Sequence, residues 1–270
     1  MLLLGLDLET GGSFDAPLEE NFITEVGLVL FCTEKKTVVK ILSEFIDAGE
    51  KIFEEAEQYT GISQDMVEKY GLKKDSEEYF RFKSELVSLF ERADYIVAHN
   101  GTDFDKPLLE QAIFDLPKKT WIDTLIDVEY PDNCRNKNLT YLQAFHGFAY
   151  PGHRAVFDIM AMLRILSLYD FDRVKELAES PAVELVAKID PPYNWKDRTE
   201  VARFNKEKDA IKSEGFRWNP DQKIWTLKVK KIQVPEKDFK FEFTIKEVED
   251  EKDKESNNSS GNNKGSTLPF

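Results

Sequence analysis

The chain has 270 residues, enough to bury one large core or two smaller ones. Hydrophobic residues make up 41% of it and charged residues 33%, which is typical of a globular protein with a highly charged surface. The net charge of −14 argues at first against a nucleic-acid partner, because phosphate binding calls for basic surface. The charge is uneven, however. Residues 191–231 carry 11 Lys and Arg against 6 Asp and Glu, a net charge of +5, so the remainder carries −19.

The N-terminus and the cysteines bear on cellular location. The opening apolar run lacks a basic leader and is too short and too acidic for a signal peptide or a membrane span. The only cysteines, Cys32 and Cys134, have no metal-ligand spacing and are too few for a disulfide framework, which fits a reducing compartment. These features predict a cytoplasmic protein without a membrane partner.

The first predicted strand contains two unexpected carboxylates. Its apolar residues, in the sequence LLLGLDLETGG, are typical of a strand buried on both faces of a sheet. Asp7 and Glu9 are two residues apart, so both side chains point to the same side of a strand. Like charges in a buried position cost several kcal/mol unless a partner neutralises them. The pattern therefore predicts a neutralising group at this position.

Residues 1 to about 170 alternate strand-like and helical patterns. Three strand-like runs come first, followed by a charged amphipathic helix and a further strand, and then by a series of helices around one short strand. This order predicts an antiparallel meander followed by helix-linked strands, which is an α/β fold with a mixed sheet flanked by helices.

Further acidic residues follow other predicted elements. Asp105 stands at the start of a helical pattern just after the strand-like run YIVA, where the helix dipole suits a carboxylate. His153 lies in a glycine-containing loop, and Asp158 lies within the helix that follows it. Hard cations such as Mg²⁺ prefer oxygen ligands, and a two-metal site needs several carboxylates around one point.

These motifs resemble those of the histidine branch of the DEDD 3′–5′ exonucleases, a DnaQ-like family with a ribonuclease H-like fold. The matching pieces are DLET, HNGTDFD and HRAVFD, in the family's order within roughly residues 1 to 170, supported by YTGIS, WIDTL and NLTYLQAFHGF. The tyrosine branch has Tyr four residues before the last aspartate, where this chain has Arg154. The histidine branch has His five residues before it, at the position of His153. In the second motif three residues separate Asn100 from Phe104, so Asp103 remains a less favoured substitute for Asp105.

The resemblance implies a two-metal mechanism. Asp7, Glu9 and Asp158 would hold one Mg²⁺, Asp7 would bridge to a second, and Asp105 would reach the second directly or through water. Mn²⁺ would substitute for Mg²⁺. His153 would be the general base that takes a proton from the attacking water. The product would be a nucleoside 5′-monophosphate.

Substrate contacts are predicted less directly. The resemblance places Leu8 and Thr10 near the terminal nucleotide, whereas Asn100 either shapes a turn or touches the substrate. We interpret His99 and His146 as structural residues. The expected partner is the 3′ end of single-stranded DNA, in repair, proofreading or degradation. RNA trimming and a catalytically reduced nucleic-acid-binding protein are the alternatives, and any polymerase or other protein partner is unknown.

The basic segment predicts a small second domain. A helical stretch that ends near Gly215 and two strand-like runs joined by NPDQ predict a helix and a hairpin. Trp218 and Trp225 would either stack on bases, as substrate-binding residues, or form the core of this module. The pattern resembles small GFRW…W modules appended to bacterial and phage DNA-processing proteins. The expected organisation is an exonuclease domain over 1–175, a linker over 176–190, a basic helix-hairpin module over 191–235 and a charged, largely disordered tail over 236–270.

Overall fold

The computed structural model describes residues 1–13, 15, 17–113 and 116–247. The chain forms two compact units, which divide after Glu179. We refer to residues 1–179 as the nuclease unit and to the described residues from Ser180 onward as the C-terminal unit. The part of the predicted disordered tail beyond residue 247 lies outside the described residues.

The nuclease unit has helices on a six-stranded sheet. The sheet order is β4-β3-β2-β1-β5-β6. Its strands are β1 (Leu2–Thr10), β2 (Ile23–Cys32), β3 (Thr37–Asp47), β4 (Leu72–Lys73), β5 (Tyr95–Ala98) and β6 (Trp121–Asp123). Its helices are α1 (Glu54–Thr60), α2 (Gln64–Tyr70), α3 (Glu77–Arg92), α4 (Asp105–Ala112), α5 (Leu139–Phe145), α6 (Ala155–Leu166) and α7 (Phe171–Glu179).

The mixed sheet has the predicted topology. Strands β1, β2 and β3 form an antiparallel meander, and β5 and β6 add in parallel on the other side of β1. Helix α3 begins where the Ser76 hydroxyl accepts a hydrogen bond from the Tyr79 amide, and the apolar face of the helix packs on the sheet through Phe82, Leu86 and Phe90. The α/β fold expected from the sequence is confirmed.

Two glycines allow α6 to lie directly against the sheet. A Cβ atom at Gly5 would lie 2.4 Å from Cγ2 of Ile159, and one at Gly27 would lie 2.6 Å from the Cβ of Ala155. Because neither glycine has a side chain, the first turn of α6 contacts β1 and β2 closely. This contact brings the start of α6, with Asp158, to the same part of the sheet as Asp7.

The C-terminal unit has its own sheet and core. The sheet order is β10-β7-β9-β8, and one long helix, α8, accompanies it. Val183, Leu185, Phe216 and Trp225 are among the buried core residues. The elements are β7 (Ala182–Ala187), α8 (Arg198–Ser213), β8 (Arg217–Asn219), β9 (Ile224–Lys230) and β10 (Thr244–Glu247).

The boundaries of this unit differ from the sequence prediction. The expected linker, 176–190, instead contains the end of α7 and strand β7, which pairs with β9 from Ala182 to Ala187. Residues 236–247, which the sequence prediction assigned to the disordered tail, contribute to this fold, because β10 pairs with β7 and the side chains of Phe239, Phe241 and Phe243 pack on the core. Apolar residues of the helix-hairpin, among them Ile211 and Trp225, share one core with residues of these flanking segments, so the segments belong to the same fold. Among the described helices, none is long and apolar enough to cross a bilayer.

Candidate active site

Strand β1 carries two carboxylates to an opening in the sheet. Strand β5 pairs with β1 only from Leu3 to Gly5, whereas β2 pairs along nearly the whole of β1. Beyond Gly5 the β5 side of β1 is therefore free to contact other groups. The Leu8 amide, which lies between Asp7 and Glu9, donates a hydrogen bond of 2.9 Å to Oδ1 of Asp105.

A third carboxylate comes from α6. Asp158 lies in the first turn of this helix, and one ligand oxygen each from Asp7, Glu9 and Asp158 lie within 4.8 Å of one another. Three carboxylate oxygens at this separation, from two different elements, form a donor set of the type that Mg²⁺ and Mn²⁺ bind.

The electrostatics of the cluster also fit a cation. Burial, together with the charges of Asp105 and Glu9, raises the pKa of Asp7 well above its ordinary value. Burial, the Asp158 charge and other neighbouring carboxylates raise the pKa of Glu9 to about 8. Burial also raises the pKa of Asp158. Such groups hold protons unless a positive charge replaces them, so the residues present suit a divalent cation.

Asp105 completes the acidic set. It is the first residue of α4 and is buried, and burial raises its pKa to about 7 against the opposing effect of its hydrogen bond from Leu8. Asp103 lines the same pocket, but it is exposed. Burial next to β1 therefore makes Asp105 a better candidate than Asp103, and its role as a metal ligand stays a prediction.

The turn before α4 is held by a buried aspartate on β6. Asp123 accepts hydrogen bonds from the Asn100 amide at 2.8 Å and from the Thr102 amide and hydroxyl at 3.1 and 2.8 Å. Asn100 adopts a left-handed conformation, with φ of 64°. Asn100 thus shapes the turn, and it is exposed and lies outside the residues that line the acidic pocket, so its contact with the substrate stays a prediction. The role of Asp123 was missed, although it lies in the WIDTL piece.

His153 is held by its backbone and by an aromatic neighbour. Its amide donates a hydrogen bond of 2.8 Å to Oδ2 of Asp158, and its φ is 62°. The ring centroids of His153 and Tyr59 are 3.8 Å apart. Tyr59 lies in the YTGIS piece, but sequence reasoning gave it no role. The contact holds the imidazole beside the carboxylates.

An ion pair between the buried Glu25 and the half-buried Arg154 lies next to the cluster and was also missed. Glu25, on β2, is opposite Glu9 in the strand register and only 2% exposed. Arg154 donates hydrogen bonds to it from Nε at 3.0 Å and Nη2 at 3.1 Å, and the Ser43 hydroxyl donates a third at 3.0 Å. The guanidinium pairs with Glu25 and opposes the effect of its charge, since Glu25 raises the pKa of Glu9 and Arg154 lowers it. Only the strand register shows that these residues are neighbours.

The carboxylates line a pocket of about 490 Å³. Leu8 and Thr10 line it, and their contact with the terminal nucleotide stays a prediction. His99 lines it too, but its Nδ1 lies 2.8 Å from the Thr124 hydroxyl, and burial lowers its pKa. His146 instead hydrogen-bonds the Tyr169 hydroxyl at 2.8 Å, a packing role.

The two predicted substrate-binding tryptophans lie in the C-terminal unit and differ from each other. Trp225 is 6% exposed and belongs to the core, whereas Trp218 is 48% exposed. The prediction treated them as a pair, but the fold separates a core residue from a surface residue.

Comparison with known proteins identifies the family. The exonuclease family profile matches residues 4–166, which is more than half of the chain and contains all five predicted catalytic positions. The chain belongs to the exonuclease family. The family predicted from the three acidic motifs is thereby confirmed. No curated protein sequence matches the chain at a significant level.

One of the solved exonuclease structures that we compared shares the fold, and two others align less closely. Escherichia coli exonuclease I in complex with a dA16 oligonucleotide aligns with a TM-score of 0.53 and 14% identity, over 69% of this chain and 48% of that one. A full-length 3′-exonuclease aligns with a TM-score of 0.48 and 18% identity, over 61% of this chain and 58% of that one. The nuclease domain of 3′hExo, a DEDDh family member bound to rAMP, aligns with a TM-score of 0.48 and 16% identity, over 61% of this chain and 88% of that one. The alignment spans about half the length of exonuclease I.

Proposed function

We propose that this protein is a metal-dependent 3′–5′ exonuclease that removes nucleoside 5′-monophosphates from the 3′ ends of single-stranded DNA. One observation carries the proposal: oxygen atoms of Asp7, Glu9 and Asp158 converge within 4.8 Å, beside His153 and in an exonuclease fold. Such an activity would serve DNA repair, proofreading or degradation in the cytoplasm.

The acidic residues would hold the metal. Asp7, Glu9 and Asp158 would bind one Mg²⁺, and Asp7 with Asp105 would bind a second. When bound, the ions neutralise the phosphate and stabilise the charge that develops on the attacking and leaving oxygens. The raised pKa values of these carboxyl groups support this role, because a cation is the partner that lets them ionise together.

The remaining residues would handle the proton and the strand end. His153 would accept a proton from the attacking water on a ring nitrogen, while Tyr59 and the bond to Asp158 keep its position. The water oxygen forms the new bond to phosphorus, and the bond from phosphorus to the 3′ oxygen of the preceding nucleotide breaks. Leu8 and Thr10, at the pocket wall, would contact the terminal nucleotide.

Single-stranded DNA is the substrate we favour. Escherichia coli exonuclease I, which shares the fold, is described in complexes with dA16 and dT13 oligonucleotides. The pocket is open at the end of β1, where a flexible strand end can enter.

Digestion of end-labelled strands tests the proposal. With 5′-labelled single-stranded DNA and Mg²⁺ we expect a ladder that shortens from the 3′ end, and with 3′-labelled DNA immediate release of a labelled mononucleotide. Mn²⁺ should support the reaction and EDTA should stop it. Duplex DNA and RNA of the same sequence are the comparison substrates. Internal cleavage or shortening from the 5′ end would overturn the proposed activity, and faster digestion of RNA would overturn the choice of DNA.

A further inference from the structure

A groove of about 650 Å³ lies in the C-terminal unit, outside the nuclease unit. It lies between α8, the segment after β7 and the hairpin of β8 and β9. Four of its lining residues are lysines, namely Lys188, Lys208, Lys212 and Lys223. None of the described residues that line it is acidic. Because the whole chain has a net charge of −14, this concentration of positive charge is a local property of the groove.

The lysine charges are free to meet an external anion. Among the described residues, none of the four lysines forms an ion pair with a carboxylate. Lys208 donates a hydrogen bond of 3.1 Å to the Asn205 side chain, and Lys212 lies over the Trp225 ring at 5.8 Å. Neither contact neutralises the ammonium group. The groove therefore attracts a ligand with several negative charges.

The same groove presents aromatic rings. Trp225 forms part of its wall from the core, and the Trp218 ring lies 5.4 Å from it with about half of its surface exposed. Phe204 lines the groove from α8, on the same helix face as Lys208 and Lys212, since these three are spaced four residues apart. Phosphate alone would not need these rings, whereas bases stack on them.

We propose that this groove is a second nucleic-acid site, in which Trp218 stacks on an unpaired base and the four lysines contact the neighbouring phosphates. A single strand carries planar bases and anionic phosphates, which match the aromatic rings and the ammonium groups that line the groove. A duplex hides the faces of its bases, so the site takes single-stranded nucleic acid. The proposal extends the proposed function to a second contact with the same class of substrate, but it needs no catalysis.

Binding measured in EDTA separates this site from nuclease activity. The full chain is titrated into two labelled probes, a twenty-nucleotide oligothymidylate and an abasic strand of equal length and charge, and fluorescence anisotropy is recorded. Trp218→Ala should weaken binding to the oligothymidylate by about 5- to 150-fold, the range of one lost base stack. Its affinity for the abasic strand should stay unchanged.

The lysines are tested by neutralisation with a matched control. Lys188→Gln combined with Lys208→Gln should weaken binding to both probes and reduce the slope of log affinity against log salt by about 1.4, for two lost phosphate contacts. Lys196→Gln combined with Lys206→Gln removes the same charge from residues outside the groove lining. This control should leave the oligothymidylate affinity within about twofold of the original.

Three results would overturn the proposal. One is a Trp218→Ala variant that binds the oligothymidylate as well as the original chain. Another is equal loss in the groove and control lysine variants, which would indicate nonspecific charge. The third is equally effective competition by polyglutamate, which would indicate an acidic protein partner. Thermal melting checks folding: Trp225→Ala should destabilise the unit by removing core volume, whereas Trp218→Ala should melt near the original temperature. Because EDTA prevents metal-dependent cleavage, a failure of the proposed nuclease activity would leave these results unchanged.

Discussion

The two units present opposite charges at their pockets. In the nuclease unit, four carboxylates surround a pocket, and burial raises the pKa of each. In the C-terminal unit, four lysines and exposed aromatic surface line a groove. Without a cation the first site offers a phosphate only acidic groups, whereas the second offers it ammonium groups directly. Catalysis in the nuclease unit would thus depend on a metal ion, whereas strand binding in the C-terminal unit would depend on the salt concentration.

The largest expected effect separates the metal site from the rest of the molecule. Asp7→Ala or Asp158→Ala should lower the cleavage rate by about 10³-fold or more, because each removes a ligand worth several kcal/mol of transition-state stabilisation. Circular dichroism should show an intact fold. Asp103→Ala, which removes an exposed carboxylate from the same pocket, is the matched control and should keep most of the activity. Near-normal digestion by either ligand variant would contradict the site assignment.

A second prediction separates proton transfer from metal binding within the nuclease unit. His153→Ala should lower turnover by about 10²- to 10⁴-fold, the usual loss of a general base. Metal affinity, measured by calorimetry, should change little, because the hydrogen bond to Asp158 comes from the backbone. His153→Asn provides a second variant, since Asn tolerates the left-handed conformation better than Ala. A comparable loss of metal affinity in both variants would instead make His153 a ligand.

A smaller effect concerns stability and pH. The pKa of Glu9 is about 8 and that of Asp105 about 7 in the fold without metal, both above their ordinary values. These two carboxyl groups therefore contribute fully to the stability of the fold below about pH 4, where they are protonated in both the folded and the unfolded chain. This contribution is lost as the pH rises through 7 and 8. In EDTA, Asp7→Asn should melt higher than the original chain, increasingly so towards pH 8, because it removes one of the mutually repelling charges.

The size of this stability difference can be read from melting curves. A change of about 1 kcal/mol shifts the melting temperature by about 2–4 °C for a domain of this length. Added Mg²⁺ should reverse the order, raising the melting temperature of the original chain more than that of the variant. A difference independent of pH would show that the acidic cluster is not strained by its own charge.

Much of the nuclease unit could be predicted because its signals are local. The apolar run around Asp7 marks a buried strand, and the period of the α3 residues marks a helix with Ser76 at its start. The resemblance of three short motifs to the exonuclease family then singled out Asp105, His153 and Asp158 from many acidic and polar residues. Each of these motifs consists of neighbouring residues in the chain.

Other features depend on segments that are distant in sequence. Glu25 and Arg154 are 129 residues apart and meet only through the register of β1 and β2 and the approach of α6. Tyr59, on α1, is also distant in sequence from His153 and contacts it only in the folded chain. In the C-terminal unit, β7 joins β9 across about forty intervening residues, so the segment could be mistaken for a linker. A strand pattern shows that a segment will pair, but not with which partner.

The two tryptophans show the same division at the level of single residues. Both stand in strand-like runs with basic neighbours, and the local pattern is equally consistent with a core residue or a stacking surface for each. Folding places Trp225 against Val183, Leu185 and Phe216 and leaves Trp218 half exposed, because cross-strand partners on one face of the sheet still meet different neighbours. Local sequence specifies which side chains are available, and packing between distant segments specifies which of them a ligand can reach.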